Sequence, residues 1–300
     1  MKGNCFFLLL LLIACNNSQQ VLPKSTGSEG EIIVVATDIL WSSYPANAIK
    51  KTFSKDYPGL QQVEPFYNII RIKPNEFSSI FKTHKNIILI LKNKKTSYKN
   101  NLWASPQQVL TLSWESEKNN PQLLKACEKN LTRFYKNKLV TIKAKYTKLN
   151  LEKAYKKIRE TFRVEVKIPV EYVIVKDTTN IFWASYNPQN KDLIKQILIF
   201  SLETNEINDK ESLTRKVNEV LKQNIKGPKA DSFVQIEQQF PLLVDSNTYR
   251  GLWNMENSYM GGPFLMKTYN INEKIIVCIG MIFAPGKLKK EFMTEMDAIL

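Results

Sequence analysis

The apolar positions of the chain fall into two regimes. Residues 31–36 hold a continuous β-branched run, Ile32, Ile33, Val34 and Val35, as expected of a strand covered on both faces. Pro45 then enters a helix behind a Ser43 cap, with Ile49, Phe53 and Tyr57 on its inner face and Pro58-Gly59 as its stop. Residues 64–72 return as a strand. Pro74 opens a short helix carrying Phe77, Ile80 and Phe81, and 86–91 is a further apolar strand. This β-α-β-α-β opening predicts a layered α/β unit. A polar, basic loop over 92–101 leads to a strand at 107–114. Two amphipathic helices follow. One, over 121–140, places Leu124, Cys127, Leu131, Phe134 and Tyr135 on one stripe; the other, over 150–163, does the same with Leu151, Ala154, Tyr155, Ile158 and Phe162.

From residue 164 the period changes to two. Val164, Val166, Ile168 and Val170 share one parity, and 172–175 continue the strand. After a turn at 177–180, 181–186 and 196–202 extend an antiparallel run. Leu213, Val217, Val220 and Leu221 mark a helix ended by Gly227-Pro228. Residues 233–240 and 248–253 read as short strands, and Gly261-Gly262-Pro263 as a break. Residues 264–269 and 274–283 then pair around Asn270-Ile271-Asn272. Residues 287–300 close as a helix burying Leu288, Phe292, Met296 and Ile299. The whole predicts an α+β fold: a mixed, largely antiparallel sheet with amphipathic helices packed on it. The body spans 31–300, as one domain or as two related α/β lobes, 31–163 and 164–300. A faint echo between 32–41 and 173–183 does not establish a duplication.

The N-terminus changes the picture. Lys2 precedes an apolar run from Cys5 to Ala14, too short to span a bilayer and of the length of a signal-peptide core. The run ends in Leu12-Ile13-Ala14-Cys15, which resembles the lipobox of bacterial lipoproteins. Residues 1–14 are therefore expected to be a signal peptide and Cys15 a lipidated residue, with a polar tether up to residue 30. The expected partner is the membrane, through lipid on Cys15. No acidic run follows Cys15, which directs the expectation to a periplasm-facing protein of the cell envelope.

Charge is uneven. The net charge is +15, and residues 82–160 hold 19 Lys and Arg against 5 Asp and Glu. Most of the excess sits on the outer faces of the two helices and reads first as a solvated lysine-rich face. Its functional counterpart would be a patch for anionic headgroups. Nucleic acid is not an expected partner of an exported chain whose cations are mostly Lys rather than Arg. Cys127 and Cys278 lie on apolar faces and are expected as free buried thiols.

Recognisable chemistry is sparse. His84 is the sole histidine, and there is no Cys-x-x-Cys, no Gly-x-Ser-x-Gly and no Gly-rich phosphate loop. No metal or cofactor is expected, and no catalytic residue is assigned. A carboxylate pair for hydrolysis of an envelope polymer needs no local motif. Glu64, Glu171, Asp177 and Asp245 are its candidates, with nothing to select two of them. The densest unusual stretch is 249–287, where glycines and aromatics alternate. Arg250, Trp253, Tyr259 and Lys287 are the candidate residues of a groove for an anionic or sugar-like ligand, with an envelope protein as the other partner class.

The chain also resembles a family of Bacteroidetes lipoproteins described only as a domain of unknown function, DUF 4837. The carriers are Leu22-Pro23 with Gly30-Glu31-Ile32, Trp41, Pro58-Gly59-Leu60, Glu64-Pro65, His84-Lys85-Asn86-Ile87, Trp103-Ala104 with Gln107, Phe182-Trp183, the motifs from Tyr259 to Lys287, and Asp297-Ala298-Ile299-Leu300. The resemblance is expected to cover the whole mature chain. It implies an envelope lipoprotein of α+β build and supplies no activity or catalytic residue. The leading expectation is thus a non-enzymatic binding module, with the hydrolase as its rival.

Overall fold

The computed structural model describes residues 21–237 and 242–300. The expected signal peptide, Cys15 and the first residues of the expected tether lie outside the described residues, as do 238–241.

Two sheets organise the α+β fold. The first comprises β1 (Glu31–Val35), β2 (Asn68–Ile72), β3 (Asn86–Leu91), β4 (Ser97–Asn100) and β5 (Gln108–Ser113), in the order β2-β1-β3-β5-β4. All neighbours are parallel except β4, which lies antiparallel on β5. The short α1 (Asp38–Trp41), then α2 (Tyr44–Phe53) and the short α3 (Ser79–Lys82) form the crossovers. On one face Ile32, Val34, Ile88 and Leu110 pack against Ile49 and Phe53 of α2 and against Leu123, Cys127 and Phe134 of α4 (Asn120–Lys148). On the other, Ile33, Val35, Ile87 and Val109 meet Phe77, Phe81 and Trp103. Burial on both faces explains the unbroken β-branched run of β1.

The second sheet comprises β6 (Val173–Asp177), β7 (Ile181–Tyr186), β8 (Ile194–Glu203), β9 (Val234–Ile236), β10 (Leu242–Asp245), β11 (Thr248–Met255), β12 (Gly261–Ile271) and β13 (Lys274–Phe283). It is antiparallel, ordered β10-β11-β12-β13-β8-β7-β6, with β9 also on β11. Alternation sends Phe182, Ile197, Ile199, Leu265 and Cys278 towards α5 (Glu152–Phe162) and α7 (Lys290–Ile299). It sends Leu198, Phe200, Trp253, Phe264 and Val277 towards α6 (Lys210–Asn224).

Several local expectations are corrected. Helix α2 stops at Phe53, so Tyr57 reaches the core from the following loop. The basic loop contains the edge strand β4, whose polar residues carry no alternation. Helix α4 runs eight residues past 140. Residues 164–168 bury Val164, Val166 and Ile168 as the parity requires, yet form no ladder, because only one isolated bridge, Asn150 to Pro169, pairs this segment. Gly261-Gly262-Pro263 lies inside β12, opposite Asn254, Trp253 and Leu252. A Cβ on Gly262 would stand 2.1 Å from the carbonyl oxygen of Ile282, so glycine here permits a close approach rather than a break. The β12–β13 turn is Asn272-Glu273, both at positive φ, one residue later than the sequence centres it. Leu288 is 70% exposed because it precedes α7, whose inner face is Met293, Met296 and Ile299.

Helix α7 joins the two sheets. Its side towards α4 and β8 carries Glu291 and Glu295. Glu291 pairs with buried Lys138 of α4 at 2.7 Å. Glu295 pairs with Lys195 of β8 at 2.7 Å and accepts from the Tyr146 hydroxyl of α4. From the first half, the buried Glu64 carboxylate accepts the backbone N–H groups of Lys289 and Lys290, at 2.7 and 3.0 Å. A carboxylate there satisfies donors that the first turn of a helix leaves open.

Candidate functional site: a cationic cleft between the two sheets

The third acidic residue of α7, Asp297, defines the most distinctive polar cluster. It follows Met296 on the buried side of the helix, and its carboxylate takes three donors. These are Arg250 Nη2 at 2.6 Å, Lys267 Nζ at 2.9 Å and the Tyr135 hydroxyl at 2.8 Å. Arg250 comes from β11 and Lys267 from β12. The register pairs Arg250 with Leu265 and Thr248 with Lys267, so the two cations are diagonal neighbours on one face. Tyr135 comes from α4, and the Tyr57 hydroxyl lies 2.9 Å from its oxygen. The Arg250 guanidinium also stands 4.5 Å from the centre of the Tyr57 ring. Gly59, at φ +80°, lets the loop after α2 lie on β11: a Cβ there would come within 2.6 Å of the Arg250 Cβ.

Above this cluster opens a cleft of about 630 Å³. Its walls come from both halves of the chain: Lys55, Asp56, Pro58 and Phe66 after α2, Thr132, Lys136 and Leu139 of α4, and Val244, Asp245, Asn247 and Thr248 around the β10–β11 turn. Arg250, Lys267, Tyr135, Tyr269 and Asp297 complete the lining.

Burial opposes charge on Asp297, but the cations of Lys267 and Arg250 outweigh it and hold the carboxyl below its ordinary value of 3.8. Burial pushes the Tyr135 and Tyr57 phenols up, so both stay neutral. With Tyr135 donating to Asp297, Tyr57 donates to Tyr135. The floor thus holds two cations against one carboxylate. Arg250 is only 3% exposed, and its Nε and Nη1 have no hydrogen-bond partner among the described residues. These two donors are themselves buried, so it is the surplus positive charge of the floor that favours an anion in the cleft.

The four residues singled out in the sequence do not share one groove. Arg250 enters this cleft. Trp253, three residues along the same strand, points to the opposite face, where it is buried and donates its indole N–H to Ile282 O at 3.3 Å. A period of two separates positions of unlike parity. Tyr259 is 91% exposed, and Lys287 is exposed beyond β13. Tyr259 does border a smaller recess of about 220 Å³ with Gly261, Gly262, Pro263 and Phe283, to which neither Arg250 nor Trp253 contributes. Lys267, Asp297, Tyr135 and Tyr57 were not singled out as site residues. The available signal was a charge next to core positions: Lys267 directly after Phe264-Leu265-Met266, and Asp297 beside Met296.

Of the candidate carboxylates, Glu64 caps α7, Asp177 pairs with Lys157 at 2.9 Å, and Glu171 and Asp245 are exposed. Asp245 shares the cleft with Asp56 and Asp297. Among the described residues, no group of three His, Cys, Asp or Glu is placed to hold a metal ion. Cys127 and Cys278 are free and buried in different cores, and burial pushes each thiol up to about 12.

Comparison with protein families divides the chain where α4 ends. The model described as domain of unknown function DUF4837 matches residues 151–300, rather than the whole chain from Cys15. A second, domain of unknown function DUF8532, matches residues 25–148. No curated protein gives a significant match. The cleft draws Arg250, Lys267 and Asp297 from the first matched region and Lys55, Tyr135 and Lys136 from the second.

Proposed function

Because the chain belongs to the DUF4837 family, whose description names no activity, we propose its function from the cleft: an envelope lipoprotein, held to the membrane through Cys15, whose body binds a small anionic ligand over Arg250 and Lys267. The observation that carries this reading is the surplus cation at the cleft floor, with Nε and Nη1 of Arg250 unpartnered. Lys55 and Lys136 add positive charge at the rim against Asp56 and Asp245. Carboxylate and phosphate share the chemistry such a floor recognises. The lipid anchor is supported by the lipobox-like Leu12-Ile13-Ala14-Cys15. The hydrolase reading gains no comparable support, because Asp297, the buried carboxyl of the cleft, is held ionised and is a poor general acid.

Calorimetric titration with inorganic phosphate, succinate and glucose tests the proposal. One of the two anions is expected to bind and neutral glucose not to. Lys267→Met should weaken anion binding by roughly 10-fold or more, and Lys222→Met on α6 should leave it unchanged. Binding of neither anion at millimolar concentration, or equal binding by the Lys267 variant, would overturn it.

A further inference from the structure

The longest helix among the described residues carries a second feature, which meets the cleft only at Lys136. Residues 129–151 contain seven Lys and Arg and no acidic residue. Lys138 alone of the seven is buried, on Glu291. Lys129, Arg133, Lys136, Lys143, Lys145 and Lys148 are exposed, and none has a carboxylate within 4 Å among the described residues. Exposed aliphatic side chains stand among them. Val140 is 65% exposed, and at the end of α4 Leu149 lies against Val170, whose N–H donates to the Leu149 carbonyl at 3.2 Å. Val173 follows at 69% exposure. Elsewhere on the chain 36 basic residues stand against 28 acidic ones, so nearly half of the +15 net charge sits in these 23 residues.

The N-terminal segment approaches the same region. Pro23 and Ser25 exchange backbone hydrogen bonds with Ser105, at 2.9 and 3.1 Å. The adjoining recess is lined by Pro106 and by Val140 and Thr141 of α4. Leu149 lies eight residues beyond Thr141, ~12 Å along a helix. From Cys15 to Pro23 the chain reaches at most ~27 Å. A lipid on Cys15 therefore brings a bilayer within range of the C-terminal half of α4.

We infer that the C-terminal half of α4, with Leu149 and Val170 at its end, is a surface that rests on a bilayer rich in anionic headgroups. The lysines meet the headgroup charge, and the aliphatic side chains enter the interface between them. The acyl anchor supplies retention, and this surface sets how the body lies on the membrane.

Vesicle co-sedimentation tests the surface without the anchor, using the chain from Asn16, which keeps every described residue. Vesicles are phosphatidylcholine alone or mixed with phosphatidylglycerol. The chain is expected to pellet with the anionic vesicles and not the neutral ones, and to be released as salt shortens the screening length. The triple variant Lys143→Glu, Lys145→Glu, Lys148→Glu should reduce partitioning by roughly 100-fold. The triple variant Lys92→Glu, Lys94→Glu, Lys95→Glu makes the same charge change after the far end of β3 and should retain most of the binding. All six side chains are exposed, and matching thermal melts establish that both variants are folded. Equal binding to neutral vesicles, no binding to anionic vesicles at low salt, an unaffected helix variant, or an equal loss in both variants would each overturn the inference.

Discussion

Two polar clusters lie against α4, and they are built on opposite principles. The first is neutral. Asn86 donates to the Glu31 carbonyl at 3.0 Å, Gln108 donates to the Asn86 amide oxygen at 3.1 Å, and Asn137 of α4 donates to the Tyr98 hydroxyl at 2.7 Å. Gln107 donates to the Lys82 and His84 carbonyls and accepts from Trp103 N–H. None of these amides has a buried atom without a partner. The second is the charged cluster of Arg250, Lys267 and Asp297, which keeps one excess cation and two open donors. A closed amide network fixes β3, β5 and α4 and leaves nothing for a ligand to satisfy. An open charged one holds its elements together yet retains unspent recognition chemistry. Burial alone therefore does not separate a structural polar cluster from a binding one; the count of charges and donors does.

That contrast can be broken by removing one member at a time. The largest effect is expected from Asp297→Asn, which leaves Arg250 and Lys267 buried without their counter-ion. Breaking a buried pair costs about 3–5 kcal/mol, a fall in melting temperature of roughly 10 °C for a chain of this size. A loss below about 1 kcal/mol would mean that the cluster is solvated. The same residue sets an acid limit. Its folded pKa lies below the unfolded 3.8, so its contribution is complete above about pH 4 and is lost as pH falls through the lower folded value. Urea midpoints measured from neutral to acid pH should fall in that window, and Asp297→Asn should flatten the fall.

Smaller effects come from the neutral cluster. Gln107→Ala strands the Lys82 and His84 carbonyls and the Trp103 N–H, at a cost of about 1–3 kcal/mol by denaturant titration. Anion binding should be unchanged, and an affinity loss would show the two clusters to be coupled. The smallest belongs to Tyr57→Phe, which removes the outermost hydroxyl of the charged cluster and should cost about 1 kcal/mol or less.

Apolar periodicity made much of the fold legible. The unbroken apolar runs of β1 and β13 and the 3.6-residue stripes of α4 and α5 each carry their own signal. What escaped did so for physical reasons. β4 offers one aromatic, Tyr98, among three polar residues, so its pairing leaves little trace in hydropathy. Gly262 reads as a break in the sequence, and only the neighbouring Ile282 carbonyl makes it a close approach. The site was the least legible part. Arg250 stood out, but its partners sit 17 and 47 residues further on, and its sequence neighbour Trp253 faces the other way.

The acidic face of α7 has a consequence for the order in which the molecule is completed. The first sheet has all its strands by Ser113 and its covering helix by Lys148. Lys138, Tyr135 and Tyr146 of that helix must then wait for Glu291, Asp297 and Glu295, about 150 residues later in synthesis. At ribosomal speed the interval is roughly 10–30 s. During it the first sheet stands complete beneath a helix whose Lys138 and Tyr146 lack their acidic partners and whose Tyr135 has only Tyr57. Such a nascent chain presents a lysine and two tyrosines on an uncovered flank, and that flank is where a chaperone or a premature contact would act.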